Sequence, residues 1–251
     1  MRKTTTFTAL ALLIGALALP AMADFSGSPM PVQITRHAGF YSGEGGEFTI
    51  TPGATLAATA DAGTFSDFSG AGSWQSFCIE RNEYVTLPGS YYADINTFST
   101  QGGVGGHDGY EGPAGQATDT LDPRTAYLYQ NFRLGTLASY TYGPSRTTDA
   151  GALQNAIWYI EGELSSISGK AVTFYNEAVE ATEIGKFYNG TSPDGFASWT
   201  GLGRVRVLNM WGDSARTQFQ QDQLLLVPVP GAMFLGALGL AGVSWVRRRV
   251  A

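Results

Sequence analysis

Histidine and cysteine are nearly missing from this chain. Of its 251 residues, two are His (His37 and His107) and one is Cys (Cys78). Two imidazoles exclude a histidine-rich metal centre, and His107 lies in a glycine-rich stretch. A serine triad would have to use His37, and no G-x-S-x-G elbow is present to carry its nucleophile. A lone cysteine excludes an internal disulfide. Charged residues are sparse at 14%, and long apolar runs occur only at the two ends. Glycine, at 33 residues, and aromatic side chains, at 12%, are plentiful. That balance suits a β-rich domain with long turns, and the spread of aromatic and β-branched residues excludes a disordered chain.

The ends read as targeting segments. Arg2 and Lys3 precede an apolar stretch over residues 7–19, and Ala21-Met22-Ala23 forms an A-x-A cleavage site before Asp24. Residues 1–23 are therefore expected to be a cleaved signal peptide. At the other end, Val227-Pro228-Val229-Pro230 leads into an apolar run over residues 231–246, followed by Arg247, Arg248 and Arg249. As a helix that run measures about 24 Å, enough to cross a bilayer when the arginines snorkel. Terminal arginines stay on the cytoplasmic side, which places residues 24–227 outside. All 21 acidic residues but only ten of the 15 basic ones fall in that body, a formal charge of −11. Such acidity argues against nucleic acid, or an anionic membrane surface, as a partner of the body.

Signal, proline-bearing lead-in, short Gly/Ala/Leu helix and arginine cluster together resemble the PEP-CTERM class of exported bacterial proteins. The glutamate usual between the prolines is Val229 here, so the tail is nearer a VPLPA-like variant. The resemblance implies an exosortase-type membrane sorting enzyme as partner. It also implies membrane attachment through the C-terminal helix before any processing, a place at the cell envelope or surface, and association with exopolysaccharide export. In an oxidising compartment, an odd cysteine calls for a role.

Within the body, residues 47–51 and 75–80 are predicted strands, and the small, polar residues 54–72 suit a further strand pair with loops. Residues 102–115, GGVGGHDGYEGPAG, are expected to form a surface loop. A helix is predicted from the cap Asp122, with Pro123 at its first position, to the stop Gly135, with Ala126, Leu128, Tyr129 and Phe132 as its apolar residues. A second begins near Thr148 or Asp149 and ends near Glu161, with Leu153, Ala156, Ile157 and Ile160 on one stripe. A third is expected over residues 170–187, carrying Val172, Tyr175 and Val179. Strands return at 204–208 and 223–227. The expected fold is α+β, mostly β. One extracellular domain with a helical insertion, residues 24–227, lies between the signal peptide and a sorting segment, residues 228–251, with its transmembrane helix.

Two segments of the body pair by chemistry: FCIERNEY around Cys78 and ALQNAIWYIEGE around Gln154. With TAYLYQNF (residues 125–132) between them, they resemble the thioester domains of bacterial surface proteins over about residues 75–163. Leu153 stands where that family usually has threonine. The resemblance implies that the Cys78 thiol attacks the Gln154 carboxamide, expels ammonia and leaves an internal thioester, the logic of an activated cysteine nucleophile. Such a bond needs shielding from water, for which Trp158 and Tyr159 are the nearest candidates. Attack by a ligand amine would leave an isopeptide cross-link on Gln154 and free Cys78. The protein would then be a single-use covalent adhesin and not a turnover enzyme, with no cofactor and no metal. The residues alone also allow a plainer reading: Cys78 as a small buried hydrophobe and Gln154 as a solvated side chain.

Other chemistries find less support. Glu80 with Glu83, and Glu161 with Glu163, are too close in sequence to imply carboxylates converging across a sugar, and read as solvated faces or structural hydrogen bonds. Asp108, Glu111, Asp119 and Asp122 lack an ordered calcium-loop spacing. Tyr91, Tyr92 and Tyr110 could stack on sugars, although core or turn packing is the default. The expected function is attachment or matrix association, with an extracellular polysaccharide or an amine-bearing surface group as ligand. A non-catalytic structural component of the exopolysaccharide matrix and a secreted carbohydrate-active enzyme are the alternatives.

Overall fold

The computed structural model describes residues 27–43, 45–61, 72–101, 117–184 and 199–228. The signal segment with its Ala23–Asp24 junction, the 102–115 loop with His107, and the tail from Val229 and Pro230 through Arg247, Arg248 and Arg249 lie outside them. Among the described residues, no helix is long and apolar enough to cross a membrane.

In chain order the elements are β1 (Met30–Thr35), β2 (Phe48–Pro52), α1 (Ala54–Thr59), β3 (Trp74–Ser76), β4 (Gly89–Asn96), β5 (Phe98–Thr100), β6 (Thr118–Thr120), α2 (Pro123–Leu134), α3 (Thr147–Ile160), α4 (Lys170–Thr182), β7 (Val205–Trp211) and β8 (Phe219–Leu226). Six strands form one sheet in the order β3-β2-β1-β4-β7-β8, every neighbouring pair antiparallel. β5 and β6 make a separate ribbon. The result is a β-rich domain with three helices inserted between β6 and β7.

Alternation places Val32 and Ile34 of β1, and Phe48 and Ile50 of β2, on the inner face, with period two. The sheet curls until its two edges meet. Past Ser76 the chain leaves β2 and turns to β8: Leu224 N–H donates to Phe77 O (3.1 Å) and Ile79 N–H to Asp222 O (3.2 Å). Cys78 and Gln223 face each other in an isolated antiparallel bridge. The Ser76 hydroxyl adds a bond to Leu224 O at 2.8 Å. Closure of this kind satisfies backbone groups that an open edge would leave unpaired. It also explains why the single strand predicted over residues 75–80 is split: β3 ends at Ser76, and the next residues belong to the seam.

Two apolar cores result. The inner one, inside the curl, holds Val32, Ile34, Phe48, Ile50, Trp74, Cys78, Met210 and Leu225, with Trp158 reaching in from α3. The other lies between sheet and helices and contains Phe77, Tyr129, Phe132, Leu153, Ile157, Phe174, Leu224 and Leu226. β8 is covered on both faces, so Leu224 and Leu225 serve opposite cores.

Three expectations need correction. The stretch after Pro52 holds helix α1, not a strand pair; its Ala-rich sequence favours a helix, and it buries Leu56. The third helix stops at Thr182, because Glu183 takes a left-handed conformation. Its buried residues are Ala171, Phe174, Ala178, Ala181 and Thr182, off the predicted stripe, while Val172, Tyr175 and Val179 are only half-buried. β1, β4, β5 and β6 had no counterpart among the predicted strands. Both α2 boundaries match: Asp122 caps the Arg124 N–H, Pro123 opens the helix, and Gly135 closes it at φ 71°.

Candidate functional site

The seam fixes Cys78. With Phe77 and Ile79 both bonded to β8, the side chain between them points to the inner core and is fully buried. Gln154 arrives from α3, whose stripe of Leu153, Ala156, Ile157 and Ile160 packs into the helix-side core as its spacing requires. That packing leaves the 154/158 edge facing the seam. Gln154 is not solvated; it is 1% exposed.

The two side chains meet 76 residues apart in sequence. Cys78 Sγ lies 3.3 Å from Gln154 Oε1. The same oxygen accepts the Gly46 N–H at 2.9 Å and the Cys78 N–H at 3.3 Å. On the other side of the carboxamide, Nε2 donates to Cys78 O at 2.8 Å. Every polar atom of the amide is therefore held by backbone. Two N–H groups converging on a carbonyl oxygen, with a sulfur alongside, is the arrangement that stabilises negative charge when a nucleophile adds to the carbonyl carbon.

Gly45 and Gly46 supply this approach, and the sequence reading did not single them out. A Cβ on Gly45 would fall 2.3 Å from Gln154 Cγ, and one on Gly46 would fall 2.7 Å from the Phe77 ring and 2.9 Å from Ser76 O. Their one sequence signal is a glycine pair immediately ahead of a predicted strand, a common mark of close backbone approach. The adjacent Glu47 is buried and paired with Arg146, at 2.5 Å for each of two bonds, and its carboxylate also accepts the Tyr140 hydroxyl.

Burial pushes the Cys78 thiol well above its usual range, and the nearby Glu80 carboxyl adds to the rise. Arg36, the residue's own backbone N–H and the Trp158 indole pull the other way. Trp158 lies four residues after Gln154 on the same helix face, is 7% exposed, and directs its indole towards Cys78. Tyr159 sits roughly 100° further round the helix and packs edge to face on Tyr175 instead, with ring centroids 5.1 Å apart. A cavity of about 200 Å³ opens onto Gln154, bounded by Ser42, Gly43, Gly45, Arg81, Asn155 and Trp158.

The paired acids are not solvated faces. Glu80, Glu161 and Glu163 are buried. Glu80 Oε2 accepts the Asp222 N–H (3.0 Å), and Glu163 Oε2 accepts the Arg81 N–H (2.7 Å). Burial raises the Glu80 carboxyl well above its normal range, with Asp222 and Glu83 reinforcing the shift. Burial, then Asp222 and Glu163, push Glu83 up to about 8. Among the described residues, no group of three or more His, Cys, Asp and Glu could hold a metal ion. Asp122 caps α2, while Asp108 and Glu111 lie outside the described residues. Tyr91 is buried, with its hydroxyl on Thr86, and Tyr92 is half-buried on β4; Tyr110 lies outside the described residues. Val227 is tied to Arg204 by bonds of 2.8 and 3.1 Å, and Pro228 follows it.

No protein-family model matches this chain, and no curated protein matches it either. Among solved structures it is similar to the N-terminal thioester domain of fibronectin-binding protein SfbI from Streptococcus pyogenes, at 14% identity and a TM-score of 0.42, over 80% of this chain and 95% of that one.

Proposed function

We propose that the chain is an exported surface protein for attachment or extracellular-matrix association, and that Cys78 and Gln154 form an internal thioester. The observation that carries this reading is the Gln154 carboxamide held by Gly46 N–H and Cys78 N–H with the thiol 3.3 Å from its oxygen. In the first step the sulfur adds to Gln154 Cδ, and the two N–H groups hold the resulting oxyanion. The C–N bond then breaks, the thiol proton leaves with the nitrogen, and ammonia departs. In the second step a primary amine enters through the cavity beside Asn155 and attacks the same carbon. The C–S bond then breaks, the amine stays bound as an amide of the glutamyl side chain, and the proton it gives up passes to the Cys78 sulfur. Nothing turns over, so the protein acts as a covalent attachment module and not as an enzyme.

The tail supports the setting. Residues 228–251 act as a sorting and membrane segment handled by an exosortase-type enzyme, with the body outside the cell. Incubation with a fluorescent primary amine, followed by denaturing electrophoresis and peptide mapping, tests the site. Label should appear on the Gln154 peptide and be absent from a Cys78→Ala variant that keeps its fold. Equal labelling of both proteins would refute the mechanism. Deletion of residues 228–251 should release the protein from the membrane fraction; an unchanged distribution would refute the anchoring. Reducing sugar released from a polysaccharide panel would overturn the non-enzyme reading.

A second reading draws on the same burial. A thiol raised well above its usual range is protonated at neutral pH and suits a core residue. The protein would then be a non-covalent component of the exopolysaccharide matrix.

A further inference from the structure

The Glu47–Arg146 pair is unusual in its surroundings. Both side chains are shut off from solvent, at 1% and 0% exposure. They share two parallel bonds across 99 residues of sequence, with the Tyr140 hydroxyl on the same carboxylate and the Phe40 ring 4.5 Å from the guanidinium. Taking two charges out of water is costly, and replacing a buried pair by apolar residues of similar volume is often neutral or stabilising. A device of this kind is poorly explained by stability. What it fixes is the placement of one segment against another.

The segments it joins are the two halves of the candidate site. Glu47 directly follows Gly46, whose N–H reaches Gln154 Oε1, and Glu47's own N–H is bonded to Phe40 O. Arg146 directly precedes α3, the helix that carries Gln154 two turns later. Its N–H donates to Gly39 O at 2.9 Å, and its carbonyl accepts the Ala150 N–H at 2.8 Å. Glycine has no side chain with which to hold itself in place. The donor loop is located by its own backbone bonds, Gly45 N–H to Ser42 O (3.1 Å) and Ser42 N–H to Gly46 O (3.3 Å), and by what grips the residue beside it.

We propose that the Glu47–Arg146 pair is a positioning element for thioester formation, holding the Gly46 N–H on the Gln154 carbonyl oxygen as that oxygen takes up negative charge. This rests on the thioester reading of Cys78 and Gln154. Neither Glu47 nor Arg146 touches the reacting atoms; both act through Gly46.

The test uses the full-length protein and two kinds of variant. Glu47→Gln strands a buried guanidinium and is expected to lower the melting temperature. Glu47→Leu/Arg146→Met together remove both charges at similar volume and strand the Tyr140 hydroxyl but no charge, so this variant should melt above Glu47→Gln. Intact mass after synthesis reads the fraction of chains short by one ammonia. The double variant should form the bond more slowly by about a hundredfold, as expected when one oxyanion donor is lost. Native-rate formation in that folded variant would overturn the proposal. Arg216→Lys weakens the Asp94–Arg216 pair elsewhere and should leave formation unchanged; an equal loss there would also overturn it. Amide exchange at Gly46 is read separately in a Cys78→Ala background, where no bond can form. It should quicken when the pair is removed, and unchanged exchange would sink the positioning role alone. A native protein of full mass would sink the thioester reading and, with it, the step this pair serves.

Discussion

At Gln154, three backbone groups hold one carboxamide, and only part of that arrangement could be read from the residues. Cys78 and Gln154 were legible because their neighbours form recognisable segments and because Cys78 is the one cysteine of the chain. Gly45 and Gly46 were not, since their importance lies in an approach made only after folding. Gly45→Ala places a methyl 2.3 Å from Gln154 Cγ. It is expected to cost about 1–3 kcal/mol in urea unfolding and to reduce amine uptake sharply; full uptake would mean that the loop yields easily. Trp158 and Tyr159 separate in space although adjacent in sequence. Trp158→Ala should cost about 3 kcal/mol and speed loss of the thioester to water, followed by the timed reappearance of free thiol. Tyr159→Ala should leave that rate unchanged.

Elements were legible in proportion to how local their signals are. α2 announces itself through Asp122, Pro123 and Gly135, because caps and stops act within one turn. Asp122→Ala removes the bond to Arg124 N–H (2.7 Å) and the ion pair to the same residue, and should lower stability by about 1 kcal/mol, measurable by urea titration. α3 was legible through its stripe. Its start was less so, because Arg146 at the cap position gives the helix no side-chain cap and turns its guanidinium to Glu47. α4 was placed but misaligned, since small residues such as Ala171 and Ala178 take the buried face and larger ones lie to the side. β4 escaped notice because GSYYADIN carries paired tyrosines where a half-buried strand would alternate more cleanly. The split of residues 75–80 between β3 and the seam is tertiary: sequence period marks a strand, but not which neighbour each residue takes.

The whole molecule is governed by two features that no single element contains: the closure of the sheet on itself and the acid cluster beside the seam. Burial raises Glu83 to about 8, Asp222 to about 7 and Glu161 to about 8. Each holds its proton more tightly folded than unfolded, so its contribution to stability is complete below the ordinary carboxylate range. That contribution is lost as pH rises towards 8. Urea midpoints should therefore fall between pH 5 and pH 8, and Glu83→Gln should flatten the fall; a midpoint that rises over that interval would contradict the assignment. The expected signal segment and sorting tail rest on charge and apolar length and not on packing, and both lie outside the described residues. Closure of the sheet had no such signal, yet it is what brings Cys78 to Gln154. The most direct measurement is the intact mass of the purified protein before and after methylamine. The account predicts a mass short by one ammonia, then a gain of one methylamine with release of a titratable thiol. An unmodified mass, unchanged by methylamine, with Cys78 already free, would contradict it.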